Sequence, residues 1–116
     1  MALSADLLRG YTDAIILRQL AQGDSYGYQL GKQVADISCG SFELKEATLY
    51  TAFRRLEGAS LIRSYWGDEG SGARRRYYTI TDEGREKLQS SVDTWHETQA
   101  LITRLLEGDS EPPLTL

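Results

Sequence analysis

Glu46-Ala-Thr-Leu-Tyr-Thr-Ala-Phe-Arg-Arg-Leu-Glu57 decides the fold together with three segments that follow it. These are Leu61-Ile-Arg-Ser-Tyr-Trp66, Gly67-Asp-Glu-Gly-Ser-Gly72 and Arg74-Arg-Arg-Tyr-Tyr-Thr-Ile80. Leu49, Phe53 and Leu56 recur at helical spacing, so the first segment reads as an amphipathic helix. Its opposite side carries Thr48, Thr51, Ala52 and Arg55, with Tyr50 and Arg54 at the edge. The second segment reads as a strand, the third as a glycine loop, and the fourth as a β-rich run that begins with three arginines.

A helix with a thin polar face, followed by an arginine-tipped hairpin, is the order a winged helix-turn-helix requires. The helix enters the major groove and the wing reaches the neighbouring backbone. The segment therefore points to DNA binding. A net charge of −4 over 116 residues argues the other way until its distribution is considered. Residues 45–76 hold seven basic side chains against four acidic ones, a balance of +3, which leaves −7 for the rest of the chain. Local patches set the field a polyanion meets, and an acidic body disfavours indiscriminate binding.

The chain is of single-domain size and buries roughly 60–70% of its unfolded surface. Its 41% hydrophobic and 26% charged content is that of an ordinary globular protein. The apolar segments are too short or too interrupted by charge to span a bilayer, and the first residues lack the pattern of a secretory leader. The single cysteine, Cys39, permits neither an internal disulfide nor a cysteine zinc site, and the expected compartment is the cytoplasm.

Outward from the deciding stretch, residues 6–21 read as a first helix, with Leu7, Tyr11, Ala14 and Ile15 on one side and Leu17 and Leu20 extending the apolar surface. Gly23 and Asp24 break it. Ser25 is the expected N-cap of a second helix over residues 26–36, with Leu30 and Val34 inward. Residues 37–44 read as a loop. Gly58 is the expected terminator of the third helix, and Thr81 the N-cap of a fourth, with Asp82 and Glu83 well placed against the helix dipole. Leu88, Val92, Trp95, Gln99, Ile102 and Leu106 fall at alternating four- and three-residue steps, a seam of the kind a partner helix covers. The expected fold is α+β, mostly α: a winged helix-turn-helix over residues 1–81, a dimerisation helix over 82–107 and a tail over 108–116.

Tyr26-Gly-Tyr-Gln-Leu30, Thr48-Leu-Tyr50, Arg55-Leu56, Leu61-Ile62, Arg74-Arg-Arg-Tyr-Tyr78 and Thr81-x-x-Gly84, in this order and spacing, resemble the PadR-like family of bacterial transcriptional regulators. The likeness covers about residues 7–95, and the single C-terminal helix is similar to that of the smaller subgroup. Two positions depart from the family pattern, which commonly has proline at Thr51 and glycine at Ser60. The resemblance implies a homodimeric regulator, a repressor acting on an inverted-repeat operator with half-sites about one helical turn, roughly 34 Å, apart. It also implies a small aromatic or cationic effector, recognised near the dimer interface, that releases DNA.

The candidate DNA contacts are Tyr26, Lys45, Thr48, Tyr50, Thr51, Arg54, Arg55, Arg74 and Arg76. The two threonines can reach base edges or phosphate, Tyr50 can donate to phosphate, and the arginines can grip phosphate or read guanine. Strand alternation puts Arg74 and Arg76 on one face and Arg75 on the other. Tyr26 and Tyr28 flank Gly27 and cannot both face the core, so one packs inward while the other reaches phosphate. Trp95 reads both as an interface anchor and as a stacking, cation–π surface for an effector, with Trp66 a second candidate effector contact. The plain alternatives are a solvated helix face, surface ion pairs and core packing. No catalytic constellation or cofactor motif is present: His96 has no second histidine for a metal site, and there is no glycine-rich phosphate loop or nucleophile elbow. The alternative to a DNA-binding regulator is a winged-helix module that binds another protein.

Overall fold

The computed structural model describes residues 8–68 and 74–108. A 3-10 turn over Arg9–Tyr11 leads into α1 (Thr12–Gln22), and a two-residue strand β1 (Ser25–Tyr26) leads into α2 (Gly27–Ile37). Next come α3 (Glu46–Gly58), the hairpin β2 (Ile62–Asp68) and β3 (Arg74–Ile80), and the long α4 (Asp82–Glu107). The three strands form an antiparallel sheet in the order β1-β3-β2. This is the mostly helical winged helix-turn-helix with a long C-terminal helix that the sequence predicts.

The core lies where three helices meet the base of the hairpin. Ile16, Leu17 and Leu20 of α1 join Leu30 and Val34 of α2, Leu49, Ala52, Phe53 and Leu56 of α3, and Ile62, Tyr78 and Ile80 of the sheet. An isolated two-stranded hairpin is marginal in water. This one is held because Phe53 lies flat on Tyr78, ring centroids 3.9 Å apart.

Several local expectations give way to longer-range contacts. The expected helix start at residue 6 lies outside the described residues; within them the inner face of α1 is Ile16, Leu17 and Leu20, with Ile15 only partly covered. Leu7 lies outside the described residues. Ser25 does not cap α2. Ser25 and Tyr26 pair with Tyr78 and Tyr77 of β3, and the Ser25 hydroxyl donates to Gln29 Oε1 at 2.9 Å, leaving Tyr26 at the N-cap position. Ile37 belongs to α2 and not to the loop after it. Ala52, expected on the polar side of α3, is 1% exposed and packs inward beside Phe53.

The end of α3 also differs. Gly58 is its last helical residue, while Ser60 takes the left-handed conformation at φ 63°. Leu61 N–H then donates back to the Leu56 carbonyl at 3.0 Å, and Ser60 N–H to Glu57 at 3.0 Å. That is the pattern of a helix stopped by a left-handed residue, a position glycine fills without strain. At the start of α4, Thr81 performs the expected cap: its hydroxyl accepts from Gly84 N–H at 3.0 Å and donates to the Ser60 carbonyl at 2.8 Å. The join between the winged unit and α4 is thus fixed to the turn after α3.

Candidate DNA interface and dimer helix

Helix α3 buries Leu49, Ala52, Phe53 and Leu56 and leaves Thr48, Tyr50, Thr51 and Arg54 exposed, with Lys45 exposed at its N-cap. Glu46 in the first turn suits the positive end of the helix dipole. Tyr50 leans edge-on against Phe53 at 6.0 Å. A Cβ on Gly27 would come within 3.2 Å of the Tyr50 hydroxyl, so the glycine at the start of α2 makes room for that ring.

Arg55 is placed differently from its neighbours. Its guanidinium grips both carboxylate oxygens of Asp13 on α1, with Nε 3.2 Å from Oδ2. The hydrogen bonds and charge of Asp13 hold the Arg55 pKa above its ordinary value. This pair ties the recognition helix back to the body of the domain. As an exposed ion pair it contributes at most about 1 kcal/mol to stability, so its effect is on geometry.

In the hairpin, Trp66 pairs with Arg76, Gly67 with Arg75 and Asp68 with Arg74. Alternation along β3 therefore separates the three arginines. Arg76 reaches Ser64 Oγ at 2.8 Å and Glu57 Oε1 at 3.3 Å, and Ser64 itself donates to Glu57 Oε2 at 2.7 Å. The wing is thereby bolted to the last turn of α3. Arg74 lies over the Trp66 ring, 5.4 Å from its centroid. Residues 69–73, which include most of the expected glycine loop, lie outside the described residues.

The other face of the hairpin carries a stack of side chains in which the sequence reading gives a role to Tyr26 alone, as a candidate DNA contact. Arg75 sits over the Tyr26 ring at 4.6 Å, Tyr26 meets Tyr77 edge-to-face at 5.4 Å, and Tyr77 stacks on Tyr65 at 5.6 Å. The Tyr65 hydroxyl donates to Asp24 Oδ2 at 2.6 Å, and this bond raises the Tyr65 pKa. Tyr26 is thus half-covered by its neighbours, whereas Tyr28 is 76% exposed. The signal for this stack was present in the period-two spacing of Tyr65 and Gly67 against Arg75 and Tyr77. Its pairing with β1 was not.

On α4, Leu88 packs against the core, and Trp95 meets Tyr11 edge-to-face at 5.4 Å. Between α1, the end of α2 and the first half of α4 lies an apolar groove of about 460 Å³, lined among others by Tyr11, Ile15, Val34, Phe42, Val92 and Trp95. Trp66 lines a different groove, beside the wing, so the two tryptophans do not share a site. Beyond Trp95, every residue of α4 except the half-buried Thr98 is exposed. Leu101 and Leu105 accompany Ile102 and Leu106 there, widening the predicted seam into a broader apolar surface, and Gln99 is exposed in its slot.

Cys39 is exposed in the turn after α2, and His96 is exposed on α4. Among the described residues, no group of three or more His, Cys, Asp or Glu side chains is arranged to hold a metal ion. None of the described helices is long and apolar enough to cross a membrane.

Three packed helices, a hairpin carrying arginines beside the third, and a long exposed C-terminal helix define a winged-helix protein of the DNA-binding regulator class. The sequence of residues 16–90 matches the transcriptional regulator PadR-like family. A transcriptional regulator from Clostridium thermocellum is 41% identical and superposes with a TM-score of 0.82, covering 88% of this chain and 99% of that one. A PadR family transcription regulator from Clostridium difficile is 37% identical with a TM-score of 0.74, covering 83% and 98%. A protein of Lysinibacillus sphaericus with no described function is 40% identical over 104 residues, 90% of this chain and 95% of its own. The chain belongs to the PadR-like family of transcriptional regulators, whose members bind DNA, typically as dimers, and are not enzymes.

Proposed function

We propose that this protein is a homodimeric, sequence-specific repressor that binds an inverted-repeat operator in the cytoplasm and is released by a small aromatic or cationic effector. The observation that carries the DNA reading is the shared exposure of Thr48, Tyr50, Thr51 and Arg54 on α3 beside an arginine-bearing wing. Polar side chains on a groove-sized helix read bases, while the wing arginines hold phosphate and fix register. Lys45 and Arg74 contribute charge to the backbone contact. Arg76 supports the wing through Glu57, and Arg55 sets the tilt of α3 through Asp13.

Dimerisation is assigned to α4, because Val92, Ile102 and Leu106 are exposed along one side of a helix that extends past its own core. The effector site is assigned to the groove beside Trp95, where Tyr11 and Trp95 offer two aromatic faces among apolar side chains. An effector releases DNA only if it binds the arrangement that cannot span two half-sites better than the one that can.

The experiment is anisotropy titration of DNA from the gene's own upstream region against scrambled duplex, at two salt concentrations. Much tighter and steeply salt-dependent binding to the upstream region supports a sequence-specific regulator. If selection from random DNA also yields no preferred sequence, the repressor reading is wrong. Thr51→Val is expected to change sequence preference more than overall affinity. An equal loss on operator and random DNA removes its base-reading role.

A further inference from the structure

Between the wing, the start of α2 and the recognition helix runs a second groove of about 450 Å³. Tyr28, Tyr50, Trp66 and Arg74 are among its lining residues. Trp66 is 56% exposed and Tyr28 76% exposed, large apolar surfaces that folding has left in water. Trp66 is nonetheless held in place: Arg76 is its cross-strand partner, anchored to Glu57, and Arg74 lies over its ring at 5.4 Å. Rigid aromatic faces with guanidinium groups around them suit a flat, anionic chain. A sugar–phosphate backbone offers apolar deoxyribose to the rings and phosphate to the arginine.

We propose that Trp66 and Tyr28 are DNA-contacting side chains, and that the groove between α3 and the wing seats one sugar–phosphate segment, deoxyribose against the two rings and phosphate at Arg74. Trp66 then belongs to the DNA face and not to the effector site. The inference rests on the DNA-binding reading and adds to it a contact that is apolar and independent of base sequence. The positive charge of the lining selects a polyanion over a protein surface, and the place of the groove beside α3 selects the duplex that α3 reads.

The test uses the full chain with a random-sequence DNA duplex at low salt, because a backbone contact does not require the operator. Trp66→Ala is expected to weaken binding about tenfold while leaving the slope of log affinity on log salt unchanged, since no charge is removed. Arg74→Ala lowers that slope by about 0.9, the share of one phosphate. Trp66→Phe recovers part of the lost affinity by restoring an aromatic face. In a Trp95→Phe background, which leaves Trp66 as the lone tryptophan, DNA addition shifts the indole emission. A circular-dichroism melt of Trp66→Ala close to wild type excludes loss of fold. Wild-type binding with unaltered affinity in Trp66→Ala and no emission change would overturn the proposal while leaving DNA binding intact. Wild-type protein that binds no duplex at any salt overturns both.

Discussion

Gly84 sits in the first turn of α4, where glycine costs about 1 kcal/mol relative to alanine in helix propensity, yet alanine there should be much worse. A Cβ at this position would lie 2.1 Å from the Leu61 carbonyl oxygen and 2.7 Å from Ile80 Cγ1. Reaching an ordinary contact of 3.4 Å requires the helix start to retreat from Leu61 by about 1.3 Å. Three hydrogen bonds oppose that movement: Thr81 N–H to Leu61 at 3.1 Å, Thr81 Oγ1 to Ser60 at 2.8 Å, and Gly84 N–H to Thr81 Oγ1 at 3.0 Å. Overpacking costs roughly 1–3 kcal/mol, and loss of the cap adds roughly 1 kcal/mol. Net of the helix-propensity gain of about 1 kcal/mol, Gly84→Ala should therefore destabilise the fold by about 2 kcal/mol and lower the melting temperature by about 8 °C.

The assay is urea and thermal unfolding followed by circular dichroism at one fixed protein concentration, because the unfolding midpoint of a dimer depends on concentration. Gly58→Ala is the matched control, since nothing lies within 4 Å of a Cβ there. It should be neutral or stabilising by up to about 1 kcal/mol, the unfolded chain losing freedom while the folded one loses nothing. A Gly84→Ala melt within about 2 °C of wild type would refute the argument, for it would mean that α4 is not seated on the turn after α3.

Ser60→Gly should stabilise the protein by about 0.5–1 kcal/mol in the same unfolding assay, because relief of the left-handed backbone at φ 63° outweighs the added freedom of the unfolded chain. Arg74→Ala should weaken operator and random DNA alike and reduce the salt slope by about one phosphate contact; unchanged affinity and slope in anisotropy would remove Arg74 from the interface. Replacing Val92 and Ile102 together with aspartate should give a monomer in sedimentation velocity, and a double variant that sediments like wild type would move the interface off α4. Burial raises the Tyr78 pKa, so the native state holds that proton more tightly than the unfolded chain; the Tyr78 contribution to stability should be constant below about pH 10 and be lost above it, with Tyr78→Phe blunting the fall in alkaline urea titrations.

Ser25 and Thr81 mark the limit of reading this fold from its sequence. Both are hydroxyl residues directly before a helical pattern, and local chemistry treats them alike. Thr81 caps α4 because its backbone ends a strand whose neighbour, Leu61, supplies a carbonyl to its N–H. Ser25 does not cap α2 because its backbone is pinned to Tyr78, more than fifty residues away, which carries its hydroxyl past the helix end to Gln29. Helix periodicity and turn chemistry are local, so α3, the hairpin and α4 were legible; the pairing of β1 with β3 is not local and was not. The same distinction governs the site. Exposure of Thr48, Thr51 and Arg54 follows from the apolar stripe of α3, whereas the capture of Arg55 depends on an aspartate on another helix. Leu101 and Leu105 were missed because a strict heptad count fits one narrow seam, and this helix presents a wider one.

Helix α1 is where the two halves of the protein meet mechanically. Tyr11, at the end of the turn that leads into it, meets Trp95, and Ile15 on one side of the helix lines the apolar groove against α4. Elsewhere on its surface Asp13 holds Arg55 of α3, while Ile16, Leu17 and Leu20 fill the core under the recognition helix. Packed interiors shift as units and do not deform gradually. A ligand that wedges between Tyr11 and Trp95 would therefore have to move α1 against α4. Because Asp13 and the buried leucines travel with α1, the recognition helix would move with it. Arg55 in that account contributes no base contact of its own; it transmits the position of α1 to the side chains, two turns long, that do. The exposed Asp13–Arg55 pair adds little to stability, and a weak pair is what a joint of this kind requires, since a strong one would fix a single angle between dimer helix and reading helix.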